Sequence, residues 1–255
     1  MRQWLLALLL AVPGFPRAQP VLEFPDDFAF TRAEVNNLGV TAYGAHLRTL
    51  KLAGRLDPDP ALKARLQHIL PRLLEAAAVE KPSSQLLAWE VHSCRQCDEN
   101  ASAMPGGKLL VSADFVTRHQ LTDDELAFLL AHEVGHVLAE HTREFATAAR
   151  YFLDNGLHRS YGDIQQELGE NLPALLRMQP MIEQQELEAD YMGFFLGARA
   201  GFRPEAMLSL LVKLGHSGQG VLNTHPARAE RLSRARAMLE AARRVMPATS
   251  PAPRP

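Results

Sequence analysis

The chain has 255 residues, of which 47% are hydrophobic and 22% charged; it can bury a substantial core and has the balance of an ordinary globular protein. Its formal net charge of −2 excludes the basic excess expected of a nucleic-acid binder or of a cationic patch for a membrane surface. These totals favour one large domain or two small ones.

Arg2 precedes "WLLALLLAV", an apolar run from Trp4 to Val12 that is too short to span a bilayer. A positive start, a short apolar run and then small residues predict a signal peptide over residues 1–18, cleaved after Ala18. The expectation is therefore an exported, periplasmic protein with no transmembrane span in the mature chain. An amphipathic helix should begin near Thr31. After the break "LDPDP", a second helix is expected over "ALKARLQHILPRLLEAAA", interrupted or kinked at Pro71.

The stretch from Leu86 to Ser93 alternates as a strand does. "SCRQCDE" follows. A zinc knuckle would need a second cysteine pair, and a thioredoxin-like site would need a helix opening at the motif, whereas turn residues follow here. Cys94 and Cys97 are thus expected to form a short-loop disulfide. Gly106 and Gly107 supply a tight turn before a second strand starting at Lys108.

Thr122 and Glu125 form a capping box, with Asp123 and Asp124 at the positive end of the helix that follows. Thr142 to Leu176 is polar and mixed. "QPMIEQQELEADYMGFFLGARAGF" reads as a long helix ended by Gly201 and Pro204, and two more helices follow. The organisation expected is a mainly helical α+β domain over residues 19–246, with a disordered Pro-rich tail at 247–255.

Within "LAFLLAHEVGHVLAEH", His132 and His136 are four residues apart, only about 40° around the helix from one another. Two imidazoles so placed can converge on one metal ion. Glu133 falls on the apolar stripe of Leu126, Leu129, Leu130 and Val137, where a buried carboxylate is costly unless a cation lies close by. Gly135 costs about 1 kcal/mol of helix stability relative to alanine and leaves room for another backbone. A zinc site with Glu133 as its base accounts for all four residues. A third ligand from an extended histidine motif is excluded, because Ala139 and Thr142 stand where Gly and His would be needed. "EQQELEAD" offers Glu183, Glu186, Glu188 and Asp190 instead. Glu186 and Asp190 share a helical face, so one could bind metal while the other holds a ligand histidine's ring N–H; spacing alone does not choose among the four.

Four segments in order, "NASAMPGGKLLV", "HEVGH", "ELEADYMG" and "THPARAERL", resemble the HtpX-like and CAAX-prenyl-protease-like zinc metallopeptidases, with a closer likeness to soluble exported members of the BepA and LoiP kind. The resemblance implies a zincin-like fold with a small sheet beside the HExxH helix and one Zn2+ per chain. It implies His132, His136 and Glu186 as ligands, Glu133 as general base and Asp190 as the acid orienting a histidine. His225 and Arg231 match positions facing the zinc, for oxyanion stabilisation or for covering the metal. Asn100 and the segment holding Met104, Gly106, Gly107, Lys108, Leu109 and Leu110 would lie at a cleft where substrate adds as a β-strand. The activity implied is endoproteolysis of unfolded or misassembled envelope proteins. A latent peptidase and a non-catalytic, chaperone-like binder of envelope proteins are the alternatives. Unlike the membrane members, the chain has no spanning helices after residue 18. Unlike the BepA kind it ends without helical repeats, so a chaperone role borrowed from such repeats is not expected.

Overall fold

The computed structural model describes residues 28–214 and 228–245. The segment expected to direct export (1–18), His225 and the tail at 247–255 lie outside them. The elements in chain order are helices α1 (Arg32–Leu52) and α2 (Pro60–Glu80), strands β1 (Glu90–Cys94), β2 (Ala101–Met104) and β3 (Lys108–Ser112), then α3 (Ala113–Arg118), α4 (Asp123–Ala139), α5 (His141–Ala149), α6 (Tyr161–Leu168), α7 (Leu172–Arg199), α8 (Glu205–Leu214) and α9 (Arg228–Val245). The α+β expectation therefore holds, with helices dominating. Among the described residues no helix is long and apolar enough to cross a membrane.

The helix α4 is the centre of the molecule. Thr122 accepts from the Glu125 N–H while the Glu125 carboxylate accepts from the Thr122 N–H, closing the capping box. Ser209 and Lys213 of α8 also donate to Glu125, tying the start of α4 to a neighbouring helix. Leu126, Leu130, Ala131 and Val134 are fully buried, since α4 packs against α7, α8, α2 and β2. A helix covered on most sides is apolar around most of its circumference, as this one is. At its far end Glu140 adopts φ 60° and turns the chain directly into α5. Burial alone would raise the Glu140 pKa; ion pairs with Arg32, Arg143 and Lys81 outweigh it and hold the group down at about 2.

The sheet has the order β1-β3-β2, with β1 parallel and β2 antiparallel to β3. The strand expected over Leu86 to Ser93 is shorter: Pro82–Leu86 forms a 3-10 turn, and pairing starts at Glu90. The strand from Lys108 stops at Ser112, whose hydroxyl caps α3 by accepting from the Phe115 N–H. The turn expected at "NASAM" is instead a strand, β2, and only Pro105 to Gly107 make the turn, with Gly106 at φ 87° and Gly107 at φ 79°. Cys94 and Cys97 are joined as a disulfide.

The interruption expected at Pro71 does not occur. The α2 helix runs through it, as α7 runs through Pro180. Both prolines are exposed, as are Gln67 and Leu176 four residues before them, so water can serve the carbonyls that lose a partner. The long α7 also begins earlier than its polar opening suggested, capped by Asn171.

Candidate active site

The site is built on the seam between α4 and α7. A glycine on each helix lies at this seam. A Cβ on Gly135 would lie 3.1 Å from the Ala189 carbonyl oxygen, and one on Gly193 would lie 2.9 Å from the His132 nitrogen. The two backbones touch, which sets the short reach between side chains across the seam. Gly135 is thus the point of close approach expected from the sequence; its counterpart Gly193 was not singled out there.

That approach brings together His132, His136 and Glu186, the one group of three or more metal-ligating side chains found among the described residues. His132 Nε2 and His136 Nε2 are 3.0 Å apart, and lie 3.4 and 3.3 Å from the Glu186 carboxylate oxygens. A tetrahedral zinc with ligand bonds of about 2.0–2.1 Å needs its ligand atoms about 3.4 Å apart, so spacing and donor set both fit zinc. Of the acids left open by the sequence, Glu186 is the one brought to the two histidines. Glu188 lies 3.5 Å from His141 instead.

Asp190 supports the cluster from behind. Its Oδ1 accepts from His132 Nδ1 at 3.0 Å, leaving Nε2 to face the metal position. Arg231, delivered by α9, grips Asp190 with two hydrogen bonds of 2.6 and 2.7 Å and lies 3.4 Å from Glu186. Burial alone would raise Asp190, but Arg231 and His132 outweigh it and hold its carboxyl below the ordinary range. Burial opposes charge on both ligand histidines. For His132 the neighbouring Glu186 and Asp190 carboxylates prevail and push it up to about 10. For His136 burial prevails, aided by the other histidines, and holds it down at about 3. The carboxylates thus favour a proton on His132, with which a metal at that ring would compete. The bonds of Arg231 hold Asp190 and Glu186 together, and it borders the same small cavity as His132 and Glu133.

Glu133 is buried and borders a small cavity of about 20 Å3, together with His132, Asn100 and apolar side chains of α8. A second cavity, about 160 Å3, lies on the other side of His136 and is bordered by Ala103, Met104 and Pro105. β2 thus runs past the metal ligands from Asn100 beside Glu133 to Met104 beside His136. Ser112 N donates to the Asn100 carbonyl, and Ser102 pairs with Leu110 in the same register. Alternation then turns the backbone groups of Ala101 and Ala103 away from β3. Among the described residues no strand pairs with that edge.

The sequence-based expectation for the cleft is corrected here. Lys108, Leu109 and Leu110 lie on the central strand, bonded on both sides and buried, so they have no edge to offer. Asn100 and Met104, on β2 and its lead-in, border the two cavities, while Gly106 and Gly107 make the turn.

A His-Glu-x-x-His helix with a carboxylate from a second helix, beside a small sheet whose β2 edge is unpaired among the described residues, defines a zincin-like metallopeptidase domain. A family model described as peptidase family M48 matches residues 60–239, and the chain belongs to that family. It is similar to the mitochondrial metalloendopeptidase OMA1 of Arabidopsis thaliana, 33% identical over 162 residues, covering 61% of this chain and 33% of that protein. Against OMA1 of Saccharomyces cerevisiae it is 30% identical over 195 residues, 69% of this chain and 56% of the relative. Against the metalloprotease LoiP of Escherichia coli the values are 28% over 153 residues, 56% and 60%. The chain thus spans less than two thirds of each of these relatives.

Proposed function

We propose that this chain is a zinc-dependent endopeptidase that cleaves unfolded or misassembled polypeptide in the cell envelope. The observation that carries the reading is the free edge of β2 passing directly alongside the His132, His136 and Glu186 cluster and Glu133. An extended substrate adding to that edge would pair its backbone with Ala101 and Ala103 and bring a scissile amide to the metal ligands. Such pairing reads backbone rather than side chains, so the expected sequence preference is weak.

His132, His136 and Glu186 would hold the metal. Bound there, zinc supplies Lewis acidity toward water and a scissile carbonyl. Glu133 takes a proton from the attacking water onto its carboxylate and delivers it to the leaving amine nitrogen. Asp190, held by Arg231, keeps the His132 Nδ1 proton in place so that Nε2 remains a lone-pair donor. The disulfide and the apolar segment before residue 19 support an exported, periplasmic setting for this activity.

The test is cleavage of a reduced, alkylated model protein by the purified chain, with products mapped by mass spectrometry. Internal cleavage that a chelator abolishes and zinc restores is the expected result. Release only of terminal residues or dipeptides, or cleavage indifferent to chelation, would overturn the proposal.

A further inference from the structure

Each ligand histidine needs a partner at Nδ1 to keep Nε2 free for metal. For His132 that partner is Asp190. For His136 the group in position is His141, the first residue of α5, with Nδ1 to Nδ1 at 2.8 Å. Two ring nitrogens at that distance must be one donor and one acceptor. With a metal at His136 Nε2, on the side of His132 Nε2 and Glu186, the His136 proton would reside on Nδ1 and His141 Nδ1 would accept. The His141 proton would then be on Nε2, which faces the Glu188 carboxylate at 3.5 Å.

His141 is itself held in place. It is buried, its backbone carbonyl accepts from Gln185 Nε2 at 3.2 Å, and the same amide donates to Glu144 at 3.0 Å. Glu140, the αL residue immediately before it, is fixed by three cations, so the ring enters at a set angle. Gln185 and Glu188 flank the ligand Glu186 on α7, so the segment that supplies the carboxylate ligand also orients the histidine behind His136.

We propose that His141 is a positioning residue that fixes the ring and tautomer of His136 as a metal ligand, with Glu188 fixing the tautomer of His141 in turn. The inference rests on the metallopeptidase reading above. Neither His141 nor Glu188 touches the metal position; both act through His136.

The test uses zinc affinity, measured by competition with a chromophoric chelator, in wild type, His141→Leu and His141→Asn. An asparagine oxygen can stand where Nδ1 accepts, whereas leucine offers no acceptor. The expected result is a 10- to 100-fold loss of affinity for leucine and retention within about threefold for asparagine. Metal-free melting temperatures of all three proteins separate this from a loss of packing. Equal zinc affinity in the folded leucine protein, or equal losses in both variants, would overturn the proposal. Should the leucine protein not fold, long-range 15N–1H spectra of histidine-labelled, zinc-loaded wild type decide. The proton is expected on Nδ1 of His136 and on Nε2 of His141; a proton on His141 Nδ1 contradicts the assignment. A wild type that binds no zinc at all defeats the metal reading itself, a result distinct from a wild type that binds zinc with no dependence on His141.

Discussion

The two surfaces bounding the metal position are built on opposite terms. Along the α4–α7 seam every position depends on a particular residue type: glycines where backbones touch, histidines and Glu186 at the metal position, and Asp190 and Arg231 buried behind them. Along β2 the groups turned away from β3 are backbone N–H and C=O, and the side chains there are Ala101, Ser102, Ala103 and Met104. The seam is closely packed and specific in residue type, while the edge presents backbone. A peptidase that must place a proton acceptor accurately yet accept many sequences has reason to separate the two demands in this way.

Three substitutions sharpen that comparison. The largest effect is expected from Arg231→Met, which removes the guanidinium shared by the two buried carboxylates Asp190 and Glu186. Loss of one member of a buried charge network costs about 3–5 kcal/mol, read by denaturant unfolding of the zinc-free protein. A loss under about 1 kcal/mol would mean that the seam does not depend on this network.

Next comes Gly193→Ala. Its Cβ would meet the His132 backbone at 2.9 Å, so overpacking should cost about 1–3 kcal/mol and weaken zinc binding. Gly44→Ala in α1 is the control. The nearest group there is the Arg48 guanidinium at 3.7 Å, and the change should gain up to about 1 kcal/mol from helix propensity. Equal effects at both positions would remove close approach as the reason for glycine at the seam.

The smallest effect belongs to the edge. Ala103→Pro removes one outward N–H without removing a bond to β3, so kcat/KM should fall about tenfold while zinc affinity holds. Ser102→Pro removes a ladder donor and should lower stability instead. Unchanged kinetics in the Ala103 variant would argue that substrate does not add to β2.

The same contrast governs how much could be read from the sequence. The seam was legible because its chemistry requires residue types at fixed helical spacing. The capping box at Thr122, the pair His132 and His136, and the awkward Gly135 all follow from helix geometry. Glu186 could be chosen over its neighbours only through family resemblance, since four acids share one short stretch. Gly193 and His141 were missed because each acts through a residue distant in sequence or around a turn. β2 was missed because "ASAM" has no strong β propensity; its pairing with the open side of β3 makes it a strand. Ser112 and Asn171 did carry local signals, a hydroxyl before "ADF" and an Asn-x-Pro opening, and each begins a helix where apolar or polar runs suggested otherwise.

The most direct test of the account is Glu133→Gln with zinc content matched to wild type. The carboxylate is asked only to hold and deliver a proton, so the variant should bind zinc as wild type does while its rate of internal cleavage falls by about 10²- to 10⁴-fold. A zinc-loaded Glu133→Gln protein that cleaves unfolded polypeptide at the wild-type rate would contradict the assignment of this site.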